Sequence, residues 1–236
     1  MMMLHCGGRQ VTFDELASIP LPEETDTYKP VAFGDLIANT LNISKSLLRD
    51  YEYKGSELAV AGNDQRMFGV IKFESEESDE MGLAIGIRSS YDKSMSNGFC
   101  MGANVFVCDN LVFSGTVTYM RKHTKNVIDD LEEKMVSTIW NSQNKFQNIL
   151  RDKEHMANLH VNNDQAYKFL GLIMGHGVLK PRQVAKALKC WKHPSHDTFE
   201  NRDMWSLYNA CTEALKSTPP NRILESHIKL HEFATA

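Results

Sequence analysis

The sequence lacks any long hydrophobic run. Its longest apolar stretches are shorter than ten residues, whereas a helix that crosses a bilayer needs about 20 consecutive apolar residues. The opening residues, MMMLHCGGRQ, also lack the apolar segment of a secretory signal. We therefore expect a cytoplasmic protein with no membrane partner.

Cysteine is scarce, and its spacing argues against two common kinds of site. The chain has five cysteines and no C-x-x-C pair, which argues against a zinc knuckle and against a thioredoxin-type redox site. Without an export signal, we expect all five to be reduced thiols. The five are Cys6, Cys100, Cys108, Cys190 and Cys211.

An overall excess of basic residues is missing as well. The chain has 26 Lys and Arg residues against 30 Asp and Glu residues, a net charge of -4, and a pI near 6.1. Proteins that grip duplex DNA through its phosphates usually carry a basic excess. Any nucleic-acid binding would therefore need a local patch, and two are present. One lies at residues 121–125, and the other spans residues 180–192 and contains Arg182, Lys186 and Lys189.

Signatures of known catalytic sites are also absent. The chain contains no Walker A loop, G-x-S-x-G elbow, H-E-x-x-H helix or EF-hand loop. Nine histidines are present, and His227 and His231, four residues apart, would share one helix face with the geometry of metal ligands. No further ligand is evident in the sequence unless Glu232 supplies it. We therefore expect surface histidines, no bound metal and no cofactor.

Residues 81–124 carry the clearest structural pattern in the chain. Short apolar runs (LAIGI, ANVFV, LVF) alternate with polar segments (RSSYDKS, CDN, SGT), which is typical of strands joined by turns. Earlier strand patterns are separated by the turn residues Gly62 to Asp64. We predict a β-rich core over residues 31–124 that opens with a short helix at 33–41. Residues 1–30, which include the polar stretch LPEETDTYKP, are predicted to form a flexible arm.

The periodicity changes after residue 125. Residues 126–156 contain no glycine or proline, and apolar residues recur there at helical spacing, which predicts a long helix of about eight turns. Three or four shorter helices follow, one of them opening at Pro181. The sequence therefore predicts an α+β fold: an N-terminal antiparallel sheet with a long helix packed on it, followed by a helical C-terminal half over residues 125–236. We expect these regions to form one compact unit.

The polar segment at residues 88–94 is the first candidate binding site. Its side chains could bind a phosphate, or hold a nucleotide base stacked on the tyrosine. The alternative is structural, an Asx turn at Asp92 braced by an ion pair with Arg88. The residues assigned to this site are Arg88, Ser90, Tyr91, Asp92 and Lys93, together with the basic residues Arg121, Lys122 and Lys125.

Two further segments carry candidate site residues. The first, Cys108-Asp109-Asn110, is predicted to be a turn in which Cys108 packs as a small buried thiol. Asp109 would act as a general base only with a partner that the sequence does not identify. The second segment either anchors the core or offers aromatic faces for base stacking. Its marked residues are Trp191, His196, Trp205 and Asn209.

Several of these motifs resemble a family encoded on mobile genetic elements. MFGV at 67–70, GLAIGIRSSYDKS, ANVFVCDNLVFSG and RKHT are similar to its first signature. W-x-x-P-x-H-x-x-F at 191–199 and WSLYNACTEALK at 205–216 are similar to its second. The family is the domain-of-unknown-function family nine-three-two, the phage/plasmid-like proteins, and the resemblance covers about residues 30–233. One departure is Tyr91, where relatives often carry histidine.

The resemblance implies a biological context rather than a reaction. Genes of this family sit on phages, prophages and plasmids, often near antirestriction and DNA-repair genes. The first hypothesis is a non-enzymatic accessory that binds single-stranded DNA during replication or recombination in the host bacterial cell, with a homo-oligomer as an option. The second is an anti-defence protein that inhibits a host restriction or immune factor by direct contact. An uncharacterised enzyme is the third.

Overall fold

A computed structural model describes residues 8–108, 110–114, 118–119 and 127–236. The structure contains both strands and helices. The strands are β1 (Arg9–Val11), β2 (Glu52–Ala61), β3 (Arg66–Glu74), β4 (Met81–Ser90), β5 (Gly98–Val105), β6 (Asn110–Phe113) and β7 (Thr118–Tyr119). The helices are α1 (Phe13–Ala17), α2 (Phe33–Leu47), α3 (Val127–Trp140), α4 (Ser142–Ala157), α5 (Asn163–Gly175), α6 (Pro181–Lys192), α7 (Met204–Leu215) and α8 (Pro220–Thr235), with a short 3₁₀ turn at Asp197–Phe199 before α7.

The strands form an antiparallel sheet in which neighbours in sequence are neighbours in space. The order is β1-β2-β3-β4-β5-β6, and β7 also pairs with β5. The β2–β3 turn uses the residues that the sequence marked, since Gly62, Asn63 and Asp64 all have positive φ, a conformation that Gly, Asn and Asp adopt most readily. The predicted α+β fold, with an N-terminal antiparallel sheet and a helical C-terminal half, is confirmed.

Helices cover both faces of the sheet. Helices α2, α3 and α4 contact β3 and β5, while α8 contacts β3, β4 and β6, and every residue of β4 is therefore buried. The approach of α8 is close at Gly86, where an added Cβ would lie 2.8 Å from the Phe113 ring and 3.1 Å from Leu224. A glycine in this strand thus makes room for α8, which is the close-packing role that strand glycines often have.

The prediction of a flexible arm over residues 1–30 needs correction for residues 8–30, while residues 1–7 lie outside the described residues. Strand β1 pairs with β2, and α1 buries Leu16. The helix begins with a capping box, in which the Thr12 side chain accepts from the Glu15 backbone N–H and the Glu15 carboxylate accepts from the Thr12 N–H. This T-x-x-E motif offsets the low apolar content of the segment by satisfying two backbone donors at the helix start.

The single long helix predicted for residues 126–156 is two helices. Helix α3 ends at Trp140, and α4 begins at Ser142. The Asn141 side chain between them donates to the Ser137 carbonyl oxygen at 2.8 Å, and such local side-chain bonds compete with continuous helical pairing. Both helices contact β5. Within the described residues, no helix is both long enough and apolar enough to cross a membrane.

Candidate nucleic-acid interface

The segment predicted to bind phosphate turns inward at Arg88. Arg88 lies near the end of β4 and is only 4% exposed. Its guanidinium donates to both carboxylate oxygens of Glu225, at 2.7 and 2.9 Å, and to the Asn221 carbonyl oxygen at 3.2 Å. Arg88 therefore fixes the first turns of α8 to the sheet, and it does not present a surface that a phosphate can reach.

Tyr91 and Ser90 are buried as well. The Tyr91 ring stacks on Phe33 with centroids 3.7 Å apart and is 4% exposed. Its hydroxyl accepts a hydrogen bond from the Phe33 N–H at 2.9 Å, and burial raises its pKa. Ser90 bonds the backbone of Met95 across the loop. The proposal that a base stacks on Tyr91 is therefore incorrect, because Phe33 already occupies that place.

Asp92 and Lys93 remain at the surface but form a structural turn. An Asp92 carboxylate oxygen accepts from the Ser94 N–H at 2.9 Å, which is the Asx turn of the structural alternative. Its ion-pair partner is Arg66, at 2.7 Å, instead of Arg88. Burial acts to raise the pKa of Asp92, but the hydrogen bonds from Ser94 and Arg66 lower it overall. Lys93 lies 4.3 Å from the centroid of the Tyr28 ring.

Four of the predicted site residues belong to the part of the chain that the structure does not describe. Asp109, Arg121, Lys122 and Lys125 lie outside the described residues. The sequence predicted one binding site made of these basic residues together with Arg88 and Tyr91. Arg88 and Tyr91 do not belong to such a site, because their side chains are buried. The roles of the four stay predictions.

The segments around residues 108–110 and 191–209 meet at one small pocket. Asn110, on β6, donates to both the backbone and side-chain oxygens of Asn209, on α7, at 3.2 Å. The Cys108 thiol lies 3.8 Å from the same side-chain oxygen. These residues line a cavity of about 40 Å³ with Cys190 and His196. Segments about 100 residues apart in sequence are thus joined by amide hydrogen bonds.

The size of this pocket limits its chemistry. Its volume of about 40 Å³ is close to the ~30 Å³ that one water occupies in the liquid, so a nucleotide base does not fit. Trp191 and Trp205 are buried nearby. The Trp191 indole N–H donates to the Asn163 side chain at 3.1 Å. The tryptophans therefore anchor the core, and base stacking on them is excluded by their burial.

The second basic patch of the sequence faces outward on α6. Arg182, Lys186 and Lys189 are all exposed, and their spacing of four and three residues places them on one helix face. Residues 165–196 hold six of the 26 Lys and Arg residues and none of the 30 Asp and Glu residues. An acidic protein therefore concentrates positive charge on one surface element.

A groove of about 670 Å³ runs beside this helix, between α6, the end of α7 and the start of α8. Its cationic lining residues are Lys180, Arg182, Lys186 and Arg222. The floor is held by Gln183, whose amide donates to the Ala214 carbonyl oxygen at 3.3 Å and to the Thr218 hydroxyl at 2.9 Å. The groove is thus a concave surface with exposed cationic side chains around it.

The Glu213 carboxylate lines both the groove beside α6 and the small pocket at Asn110 and Asn209. Glu213 pairs with Lys216 at 2.7 Å and with Lys186 at 3.7 Å, and it contributes to the lining of both cavities. Lys216 also donates to the Cys108 carbonyl oxygen at 3.0 Å. Glu213 therefore lies between the basic groove and the small polar pocket.

The sequence contained part of this interface. The sequence identifies residues 180–192 as a basic patch. It does not identify Arg222, which lines the groove from α8 some 30 residues later in the chain. The carboxylate-free segment at 165–196 was the stronger available signal, because it is unusual in a chain with net negative charge. We call the exposed cations Arg182, Lys186 and Lys189 of α6, together with Arg222 of α8, the α6 surface.

The two histidines considered as metal ligands are buried, which corrects the expectation of surface positions. His231 contacts the Asp152 carboxylate at 2.9 Å, and His227 packs edge-on against Phe113. Burial lowers the pKa of His227 to about 3, although the Leu111 backbone opposes the shift. Among the described residues, no group of three or more His, Cys, Asp or Glu side chains is arranged to hold a metal ion.

Comparison of the chain with protein-family models, with curated proteins and with solved structures found no match. The resemblance to the phage/plasmid-like proteins therefore stays a prediction based on the quoted motifs.

Proposed function

We propose that the protein is a non-enzymatic accessory that binds single-stranded DNA through the α6 surface. The observation that carries the proposal is the segregation of charge. Arg182, Lys186 and Arg222 line one groove and Lys189 is exposed on the same helix, while the chain as a whole has a net charge of -4. Phosphate contacts supply most of the affinity in binding without sequence preference, so a local basic surface of this kind is sufficient.

The dimensions of the α6 surface suit one strand. Arg182 and Lys189 are seven residues apart along α6, which separates their Cα atoms by about 10 Å. Two of the groove cations come from one helix and Arg222 from another, so the charges flank a concave path. A duplex would also bring its phosphates near the acidic remainder of the protein. The negative charges of the two would repel each other unless salt screens them.

Equilibrium binding tests the proposal directly. Labelled single-stranded and duplex DNA are titrated with wild-type protein and with the Lys186→Glu, Lys189→Glu double variant across a salt series. We expect the variant to bind single strands about tenfold or more weakly at low salt. The slope of log affinity against log salt should fall by about 0.7 for each cation removed.

The matched control is the Arg151→Glu, Lys229→Glu double variant. It makes the same change in net charge at exposed positions on α4 and α8, outside the groove lining. Its affinity should stay near that of the wild type. Equal losses in both variants would show a general charge effect, and no binding by the wild type at low salt would contradict the proposal.

Protein docking is a second candidate function, favoured by a different observation. A cavity of about 480 Å³ is lined by Phe106, Val107 and Phe199, with Asp79 and Glu80 at its rim. Phe106 and Val107 are exposed, and exposed apolar side chains beside an acidic loop suit a protein partner. This surface fits the anti-defence hypothesis.

The second candidate makes a distinct prediction. DNA binding should be absent, and a host restriction or immune factor should co-purify with the wild type but not with a Phe106→Ser variant. The acidic segment at residues 74–80, between β3 and β4, could act by imitating a row of phosphates, but two of its carboxylates already contact side chains of the same chain. Glu77 accepts from the Tyr51 hydroxyl at 2.6 Å, and Glu80 pairs with Lys153 at 2.9 Å.

A further inference from the structure

We infer that Tyr167 is a base-stacking residue that gives the α6 surface its preference for single strands, an inference that rests on the proposed function. Tyr167 lies on α5 and is 41% exposed. The ammonium of Lys192, at the end of α6, lies 5.5 Å from the centroid of the Tyr167 ring. The partly exposed ring of Tyr167 therefore lies beside Lys192, the last cation of α6, whose ammonium is over one face of the ring.

The neighbouring packing holds Tyr167 in a fixed place. Helix α5 begins with a capping box between Asn162 and Gln165, and Ala166 is buried beside the tyrosine. The Asn163 side chain accepts from the Trp191 indole N–H at 3.1 Å, which ties the start of α5 to the end of α6. A tyrosine has only two side-chain χ angles, so ordering its ring on binding costs little conformational entropy.

Tyr167 differs from the other aromatic residues that the sequence offered for stacking. Tyr91, Trp191 and Trp205 are buried, so their faces are closed to a ligand. Trp140 is exposed, but it lies at the end of α3. Of the exposed aromatic side chains in the described ranges, Tyr167 is the one that contacts a cation of α6.

The contact with Lys192 defines what a strand would replace. A base that stacks on the Tyr167 face takes the place of the ammonium, and Lys192 is then free to approach the adjacent phosphate. Base stacking on an aromatic ring contributes about 5-fold to 100-fold in affinity per base, more than an exposed cation–π contact does. Bases in a duplex are already stacked and paired, so this gain is available only from a single strand.

The experiment compares three variants on three DNA probes. The variants are Tyr167→Ala, Tyr167→Phe and the control Trp140→Ala. The probes are a labelled oligothymidylate, an abasic strand of the same length and a duplex, all at one salt concentration. We expect Tyr167→Ala to weaken oligothymidylate binding by about fivefold or more, with duplex and abasic binding within about twofold of the wild type. Tyr167→Phe should bind as the wild type does, because it keeps the ring.

The salt dependence separates this inference from the proposed function. Tyr167→Ala removes no cation, so the slope of log affinity against log salt should stay unchanged. If Tyr167→Ala weakens the oligothymidylate and the abasic strand equally, or neither, the stacking role is wrong while the α6 surface stands. If the wild type binds none of the three probes at low salt, the proposed function itself is wrong.

Discussion

The segment at residues 88–94, which contains the end of β4 and the loop after it, carries residues similar to those of helix α6 but uses them in the opposite way. Both segments combine arginine and lysine with a nearby tyrosine. Arg88 and Tyr91 are buried by α8 and α2, whereas Arg182 and Lys186 point into solvent beside a groove. The comparison teaches that polar composition marks a possible site, and that the layer packed above it decides between a structural and a binding role.

The largest expected effect comes from the inward member of this comparison. Replacing Arg88 by alanine leaves Glu225 without its two charge-assisted hydrogen bonds and detaches the start of α8 from the sheet. Breaking a buried ion pair from one side costs about 3 to 5 kcal/mol, and the partial exposure of Glu225 places this case near the lower figure. Urea unfolding measures the change in free energy of unfolding.

Arg182→Ala is the control for Arg88→Ala. It removes the same side chain from an exposed position, where substitutions usually change stability by less than about 0.5 kcal/mol. If the two variants lose similar amounts of stability, the distinction between an inward and an outward arginine is wrong. The Arg182 variant should instead weaken DNA binding.

A buried histidine sharpens the same comparison through pH. The pKa of His227 is about 3 in the folded protein, against an ordinary value of 6.5. Between these values the unfolded chain binds more protons, so stability is complete above pH 6.5 and declines as the pH falls toward 3. The loss from this group should reach about 2 kcal/mol by pH 5, as each pKa unit corresponds to about 1.4 kcal/mol.

Urea unfolding at pH 7 and pH 5 measures this loss. The His227→Leu variant has no proton to bind at that position, so its difference between the two pH values should shrink by about 2 kcal/mol. The control His193→Gln removes an exposed histidine and should leave the difference as it is in the wild type. An unchanged pH difference in His227→Leu would contradict the role assigned to burial.

The sequence predicted the parts of the fold that depend on local patterns. Alternating apolar runs and the Gly62–Asp64 turn identified the antiparallel sheet, and helical spacing identified the C-terminal half. Such local patterns could not predict that Arg88 is buried in an ion pair, because its partner Glu225 lies 137 residues away. The same applies to Arg222, which joins α6 only through the packing of α8. The capping box at Thr12 was readable in the sequence, and it would have corrected the predicted arm.

The smallest expected effect comes from Glu213, the carboxylate that lines the basic groove among the described residues. Glu213 pairs with Lys186 and Lys216, so it holds near the α6 surface a negative charge that a phosphate would have to displace. Glu213→Gln should raise affinity for single-stranded DNA by about threefold to fivefold at low salt, because one more net positive charge faces the strand. The pair with Lys186 is half exposed and should contribute little to stability, and the more buried Lys216 keeps its hydrogen bond to the Cys108 carbonyl oxygen.

The control for this last variant is Glu154→Gln, which removes one carboxylate from an exposed position on α4. Anisotropy titrations at two salt concentrations compare both variants with the wild type. If the α6 surface binds the strand, only Glu213→Gln gains affinity, and the gain fades as salt screens the added charge. An equal gain in both variants would mean that the strand responds to net charge alone, and the contrast between the α6 surface and the rest of the molecule would no longer hold.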